Sequence, residues 1–154
     1  MDDGKKTMRI SYQKMILQPP EIVFPWIAEP EKAMKWQKNV KGAEIILDKP
    51  EVIGTTFKEI IMEDGNILEM VGTITKYSRN KIIGFHLESK IHKFDVSYSL
   101  EEVNSNTKFS IEAIISWKFP MNVMSLFIGK KMKKNLVKQL ESETLALKKI
   151  CETG

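Results

Sequence analysis

Cysteine is almost missing from this chain. Cys151 is the only one in 154 residues, which rules out an intrachain disulfide and a thiolate cluster for zinc or iron–sulfur. Histidine is scarce as well: His86 and His92 are the only two, and with Cys151 they form no group at metal-ligand spacing. No metal or other cofactor is expected. No apolar run approaches the ~20 residues of a membrane span. The opening MDDGKKTMRI lacks the apolar centre of a secretory signal. With so little cysteine, the expected setting is the reducing cytoplasm. Repeats and low-complexity tracts are absent, as are a Gly-rich phosphate loop and a Ser/His/Asp or Cys/His arrangement for nucleophilic catalysis. Charge of one sign is also in short supply. The net +4 is mild, much of it lying in GKKMKKNLVK (129–138), and aromatics do not interleave with it. Nucleic acid is therefore not an expected partner.

What is present is an ordinary globular mixture, 42% hydrophobic and 29% charged. The length fits one domain with a real core, expected over residues 8–154 after a loose polar segment, 1–7. MRISYQKMIL reads as a strand, ended by Pro19 and Pro20. Pro20 is well placed in the first turn of a helix. Ile22, Val23, Trp26 and Ile27 then share one helical face. Pro30 stops that helix and starts a second, in which Ala33, Met34 and Trp36 are the apolar members.

From Gly42 to Lys118 the hydrophobic period is two. EDGN (63–66) is a hairpin signal; it pairs Ile61 with Leu68, Glu59 with Met70 and Phe57 with Gly72. A turn at Arg79-Asn80 pairs Ile74 with Phe85 and Gly72 with Leu87. A turn at Ile91-His92 pairs Leu87 with Val96 and Phe85 with Tyr98. A turn at Asn104-Ser105 pairs Tyr98 with Ile111, Val96 with Ala113 and Phe94 with Ile115. One face stays mostly apolar across these strands. The other carries Lys58, Glu69, Thr73, His86, Glu88, Asp95, Ser97, Ser99, Ser110 and Glu112.

After Pro120 the period becomes helical. Asn122 is the expected N-cap, and Gly129, Met132, Leu136, Leu140, Thr144, Leu147 and Cys151 mark the buried stripe of a helix of about 30 residues. The fold expected is α+β: a seven-stranded antiparallel curved sheet wrapped around a long C-terminal helix, with two short helices between strands one and two. The sheet needs a cover, and that helix is the only element large enough.

PPEIVFPWIAEPEKAMKWQKNVKG, KPEVIGTTFKE, the meander with NTKFSIEA and the long last helix together resemble the START-related helix-grip superfamily. That group includes polyketide cyclases/dehydrases, lipid-transfer domains, plant pathogenesis-related allergens and, with a similar EPEKAMKW texture, heat-shock-protein ATPase activators. The likeness spans about residues 8–151; Asn106 stands where the family usually has a glycine. It implies a cavity between sheet and C-terminal helix that holds a hydrophobic small molecule such as a lipid, sterol or polyketide.

The inner face supplies the candidate ligand-binding wall: Phe57, Glu59, Ile61, Met70, Gly72, Phe85, Leu87, Val96, Tyr98, Ile111, Ala113, Ile115 and Trp117. Trp26 and Trp36 come from the short helices, and Met124, Phe127, Met132 and Leu136 from the long one. Met34, Met70, Met121, Met124 and Met132 suit an adaptable pocket or plain core filling. Glu59 is the one candidate for acid–base work. A desolvated carboxylate there has a raised pKa, whereas the commoner arrangement pairs it, here with Lys76 or a backbone amine. Tyr98 either orients a ligand by its hydroxyl or is a core tyrosine. The basic run Lys130, Lys131, Lys133, Lys134 and Lys138 is a solvated face or, at most, a transient membrane contact.

Three functions compete: a carrier or sensor of a hydrophobic molecule, a cyclase/dehydrase using Glu59, and a protein-interaction module of the heat-shock-protein ATPase activator kind. No residue pattern requires a reaction, and none sets an oligomeric state.

Overall fold

The computed structural model describes residues 7–63, 65–118 and 121–153, with side chains of the last span from Lys131 onward. Its elements are β1 (Thr7–Ile16), α1 (Pro20–Ala28), α2 (Pro30–Ala33), β2 (Val40–Leu47), β3 (Thr56–Glu63), β4 (Asn66–Ser78), β5 (Ile82–Glu88), β6 (His92–Val103), β7 (Asn106–Trp117) and α3 (Met121–Thr153). The seven strands form one open antiparallel sheet in the order β1-β7-β6-β5-β4-β3-β2, and α3 packs on β1 and β7. This is the α+β helix-grip arrangement expected from the sequence. Of the segment expected to be loose, residues 1–6 lie outside the described residues, while Thr7 already belongs to β1.

The short helices owe their break to proline. Pro20 stands in the first turn of α1 and Pro30 in the first turn of α2. Glu29 between them is extended, at φ −92 and ψ 122, because the ring of a following proline disfavours the helical region. The buried face of α1 is Pro20, Val23, Phe24 and Ile27. Ile22, expected inside, is 45% exposed; Phe24 takes the inward position and stacks edge-on against Tyr77 at 5.7 Å.

Register follows from the turns. Asn104 and Ser105 both have positive φ (52 and 67), the condition for a two-residue hairpin whose twist matches its strands. β6 and β7 therefore pair Tyr98 with Ile111 and Val96 with Ala113. β7 alternates strictly from there, burying Thr107, Phe109, Ile111, Ala113, Ile115 and Trp117. β3 and β4 pair as expected, Glu59 opposite Met70 and Phe57 opposite Gly72. A bulge between Ile74 and Lys76 leaves Ile74 opposite Phe85 and makes the next turn one residue longer, Arg79–Lys81.

The β5–β6 turn differs from the expectation. It is centred on Lys90-Ile91, so Phe85 faces Val96 and Leu87 faces Phe94. Ser89 causes the shift: its hydroxyl accepts the backbone N–H groups of Ile91 and His92 at 3.2 and 3.1 Å. The displacement is two residues, so every side chain keeps its face. His92 moves from the turn into the start of β6, where it is buried.

The core joins both layers. Ile16, Phe24, Trp36, Ile83, Phe109, Ile111, Leu147 and Cys151 form its centre, each large side chain contributing about 1.5–3 kcal/mol by burial. Met8, Ile10, Ile115 and Trp117 form a second cluster, packed against Met132 and Leu136 of α3. Asn122 lies inside α3, not before it, since the helix starts at Met121. The end of α3 is fastened to β1: the Leu17 N–H donates to Glu152 Oε2 at 2.7 Å, and Lys148 Nζ donates to the Met15 carbonyl at 3.0 Å.

Candidate functional site

The inner face of the sheet is not wholly filled. A hollow of about 190 Å³ lies under α3, walled by the sheet and by Leu136, Gln139, Leu140 and Glu143. A larger one, about 570 Å³, lies toward α1, α2 and β2, with Ile27, Ala33, Ala43 and Val52 in its wall. The larger space is thus beside the short helices and not beneath the long one. The hollows share Gln37, Glu59, Leu87, Val96 and Tyr98, so these five residues stand at their junction.

Most of the wall is hydrocarbon or aromatic. In the larger hollow Phe57 and Phe85 meet edge-to-face at 5.7 Å, and Phe85 meets Tyr98 at 5.9 Å. Gly72 behind them leaves room for Phe57: a Cβ there would lie 2.4 Å from Phe57 Cζ.

Against this wall stand a few polar groups. Glu59 alternates with Phe57 and Ile61 along β3, which turns its carboxylate inward. It has no hydrogen-bond or ion-pair partner among the described residues, neither Lys76 nor a backbone amine, and burial alone pushes its pKa up to about 7. Tyr98 Oη accepts a hydrogen bond from Gln37 Nε2 at 3.3 Å. Burial, then the nearby charges of Glu143 and Glu59, hold its pKa above the usual 10.0. Glu143 Oε2 accepts the Lys38 N–H at 3.2 Å and Gln139 Nε2 at 3.3 Å; burial nonetheless raises its pKa. His92 borders the smaller hollow. Its Nδ1 bonds Ser89 Oγ at 2.7 Å, and burial lowers its pKa. His86 is on the outer face, bonded to Asp95 at 2.8 Å and Glu88 at 3.1 Å. Among the described residues no group of three His, Cys, Asp or Glu could hold a metal, and no helix is long and apolar enough to cross a membrane.

Of the residues singled out from sequence, Phe57, Glu59, Ile61, Met70, Phe85, Leu87, Val96, Tyr98, Ile111, Ala113, Ile115 and Leu136 border the hollows. Trp36 does not: it is 2% exposed, and its Nε1–H donates to the Trp26 carbonyl at 2.7 Å. Trp26 is half-buried and packs against the core, with Lys32 Nζ 5.6 Å from its ring centre. Trp117 and Met132 pack in the second cluster. The side chains of Met124 and Phe127 lie outside the described residues.

The polar members Gln37, Gln139, Glu143 and His92 escaped sequence reasoning. Gln139 and Glu143 carried a usable signal, three and seven residues beyond Leu136 on the same helical face. Gln37 carried none. His92 was hidden by the displaced turn.

No curated protein matches the sequence. Among solved structures, a START superfamily protein from Mycobacterium smegmatis superposes with a TM-score of 0.78 at 16% identity, covering 94% of this chain and 97% of that one. A protein from Thermus thermophilus gives 0.76 at 13%, with coverages of 94% and 97%. The Zhui aromatase/cyclase from a Streptomyces species gives 0.73 at 10%, with 96% and 94%. At such identities these likenesses establish the fold, a START-related helix grip. The family described as Activator of Hsp90 ATPase homolog 1-like protein matches residues 18–143. With that match running from the end of β1 into α3, the chain belongs to the Activator of Hsp90 ATPase homolog 1-like family.

Proposed function

We propose that this protein binds a hydrophobic small molecule in the joined hollows between sheet and helices, as a carrier or sensor. One observation carries the reading: about 570 Å³ of space lined by Phe57, Ile74, Phe85, Leu87 and Val96 stays open in a fold otherwise packed around fully buried side chains. Volumes of this order are those of small-molecule sites, where apolar walls supply affinity and a few polar groups fix orientation. Glu59 and Tyr98 at the junction are those groups. Catalysis is not needed to account for them. Glu59 has a pKa suited to proton transfer, but it lacks a second group held against it by a hydrogen bond among the described residues.

The test is uptake of a neutral apolar dye, Nile red, by the purified protein and by Val96→Trp, which adds ring volume at the junction. Saturable uptake that falls at least about tenfold in the folded variant supports the reading. Uptake that is absent, or indifferent to Val96→Trp, refutes it.

A further inference from the structure

The cavity's polar groups are unbalanced in a way that selects a ligand. We infer that the natural occupant is an apolar amine: a hydrocarbon or ring body carrying one basic nitrogen, held as an ammonium at the junction by Glu59, with Glu143 on the helix side. This deepens the proposed function and rests on it.

The donors and acceptors at the junction can be counted. Gln37 Nε2 already donates to Tyr98 Oη, and Gln139 Nε2 to Glu143 Oε2. The Lys38 N–H ends on that same Oε2, so Glu143 Oε1 accepts from no described residue. Both oxygens of Glu59 are likewise without a donor among the described residues. The Gln37 and Gln139 amides each keep one N–H and a carbonyl oxygen, so they add as many acceptors as donors, and the donor left over beyond them is the Tyr98 hydroxyl proton. Acceptors thus exceed donors, and an occupant that restores the balance brings several N–H groups and no acceptor. An ammonium has that pattern; a carboxylate has its opposite, and an alcohol brings one donor only.

Charge points the same way. No Lys or Arg borders either hollow among the described residues, although the chain as a whole is basic. Toward the mouth of the larger hollow stand Glu29, Glu31 and Asp48. Glu29 is paired with Lys32 at 3.5 Å, while the Glu44 carboxylate is held on the outer face by Lys58 at 3.5 Å. A fatty-acid carboxylate would meet Glu59 and Glu143 with no cation among the described residues of the wall, and a buried charge without a partner is strongly disfavoured. An ammonium meets two carboxylates and the rings of Phe57, Phe85 and Tyr98, whose faces attract cations.

The groups that set the pH response are few. Glu59 is faced by Tyr98 from β6 and Gln37 from the α2–β2 connection, with Glu143 from α3 and Asp48 beyond; Lys58 and its partner Glu44 belong to the opposite face of the sheet, and His92 lies in the smaller hollow only. Glu59 must ionise to hold an ammonium, so amine binding strengthens as pH rises through the titration of this carboxyl.

Three probes of equal chain length decide the matter: decylamine, decanol and decanoate, each displacing Nile red. At about pH 8 the amine is expected to bind at least about tenfold tighter than decanoate, an advantage that shrinks at least about tenfold by about pH 5.5. Glu59→Gln, its fold checked by circular dichroism, removes most of the preference. Decanoate binding as tightly as the amine, or a preference that survives Glu59→Gln, overturns the inference while leaving the cavity reading intact if decanol still displaces the dye. Failure of all three probes and of the dye overturns both.

Discussion

Replacing Glu59 by glutamine gives a stability change whose sign depends on pH. The substitution keeps the shape and removes the ionisation. In the unfolded chain the carboxyl titrates near 4.5, in the fold at about 7. Between those values folding takes up a proton. The stability associated with this group is therefore fully present below 4.5 and lost as pH rises through about 7. The gap amounts to about 3 kcal/mol by which ionised Glu59 burdens the wild-type fold at alkaline pH. Glutamine does not ionise, so the variant escapes that loss. At acid pH the two proteins are expected to unfold in urea within about 0.5 kcal/mol of each other. At about pH 8.5 Glu59→Gln is expected to be more stable by about 2–3 kcal/mol, or about 5–10 °C in Tm for a chain of this size. Glu143, also raised by burial, titrates in both proteins and largely cancels from the difference. A difference that stays constant with pH, or a wild type that gains on the variant as pH rises, refutes the reasoning. Either would mean that the Glu59 carboxylate is hydrated or paired in solution.

Gly72→Ala sets a Cβ 2.4 Å from Phe57 Cζ and 2.6 Å from Leu87 Cδ2. Urea unfolding should show a loss of about 1–3 kcal/mol from overpacking, and an unchanged midpoint would contradict the contact. Thr144 is fully buried on α3, and its hydroxyl has no partner among the described residues. Thr144→Val is therefore expected to stabilise by about 1 kcal/mol, and a loss of stability would reveal a hidden partner. Cys151 is buried, and burial, with Glu152 beside it, pushes its thiol up to about 12. A disulfide reagent at about pH 8 should modify the folded protein at least about a hundredfold more slowly than the urea-unfolded chain; comparable rates would mean that the end of α3 opens readily.

The fold was legible in the sequence because its signals are periodic and agree with each other. The alternation from Gly42 to Lys118, closed by Glu63–Asn66 and Asn104-Ser105, admits one set of faces, and the pairs Glu59–Met70 and Tyr98–Ile111 follow from it. Where local chemistry overrode the pattern, the reading slipped. Ser89, by capping its own turn, displaced the β5–β6 pairing by two residues and carried His92 into the wall. Parity survived because side chains alternate with a period of two, so the inner face was still correctly composed.

The apolar wall was legible for the same reason. The tryptophans were not. Nothing in EPEKAMKW distinguishes a ring lining a cavity from one locked in the core, and Trp36 proved to be locked by its bond to the Trp26 carbonyl. The polar junction was only half visible. Glu59 stood out as a charge at an inner position, but the lack of a partner for its carboxylate among the described residues depends on which residues approach from α3 and from the α2–β2 connection, and that is a tertiary fact.

The most direct measurement of the central claim is a map of where an apolar molecule sits. Decanol added to protein with isotope-labelled methyl groups should shift the resonances of Met70, Leu87, Val96 and Ile111, which border the hollows. Outer-face Val71 and the exposed Ile46 should stay unmoved. Saturable shifts confined to the first set are the expected result. Shifts centred on Ile46 and Leu47 of the edge strand β2, or none at all, would contradict the cavity and favour a surface role for this protein.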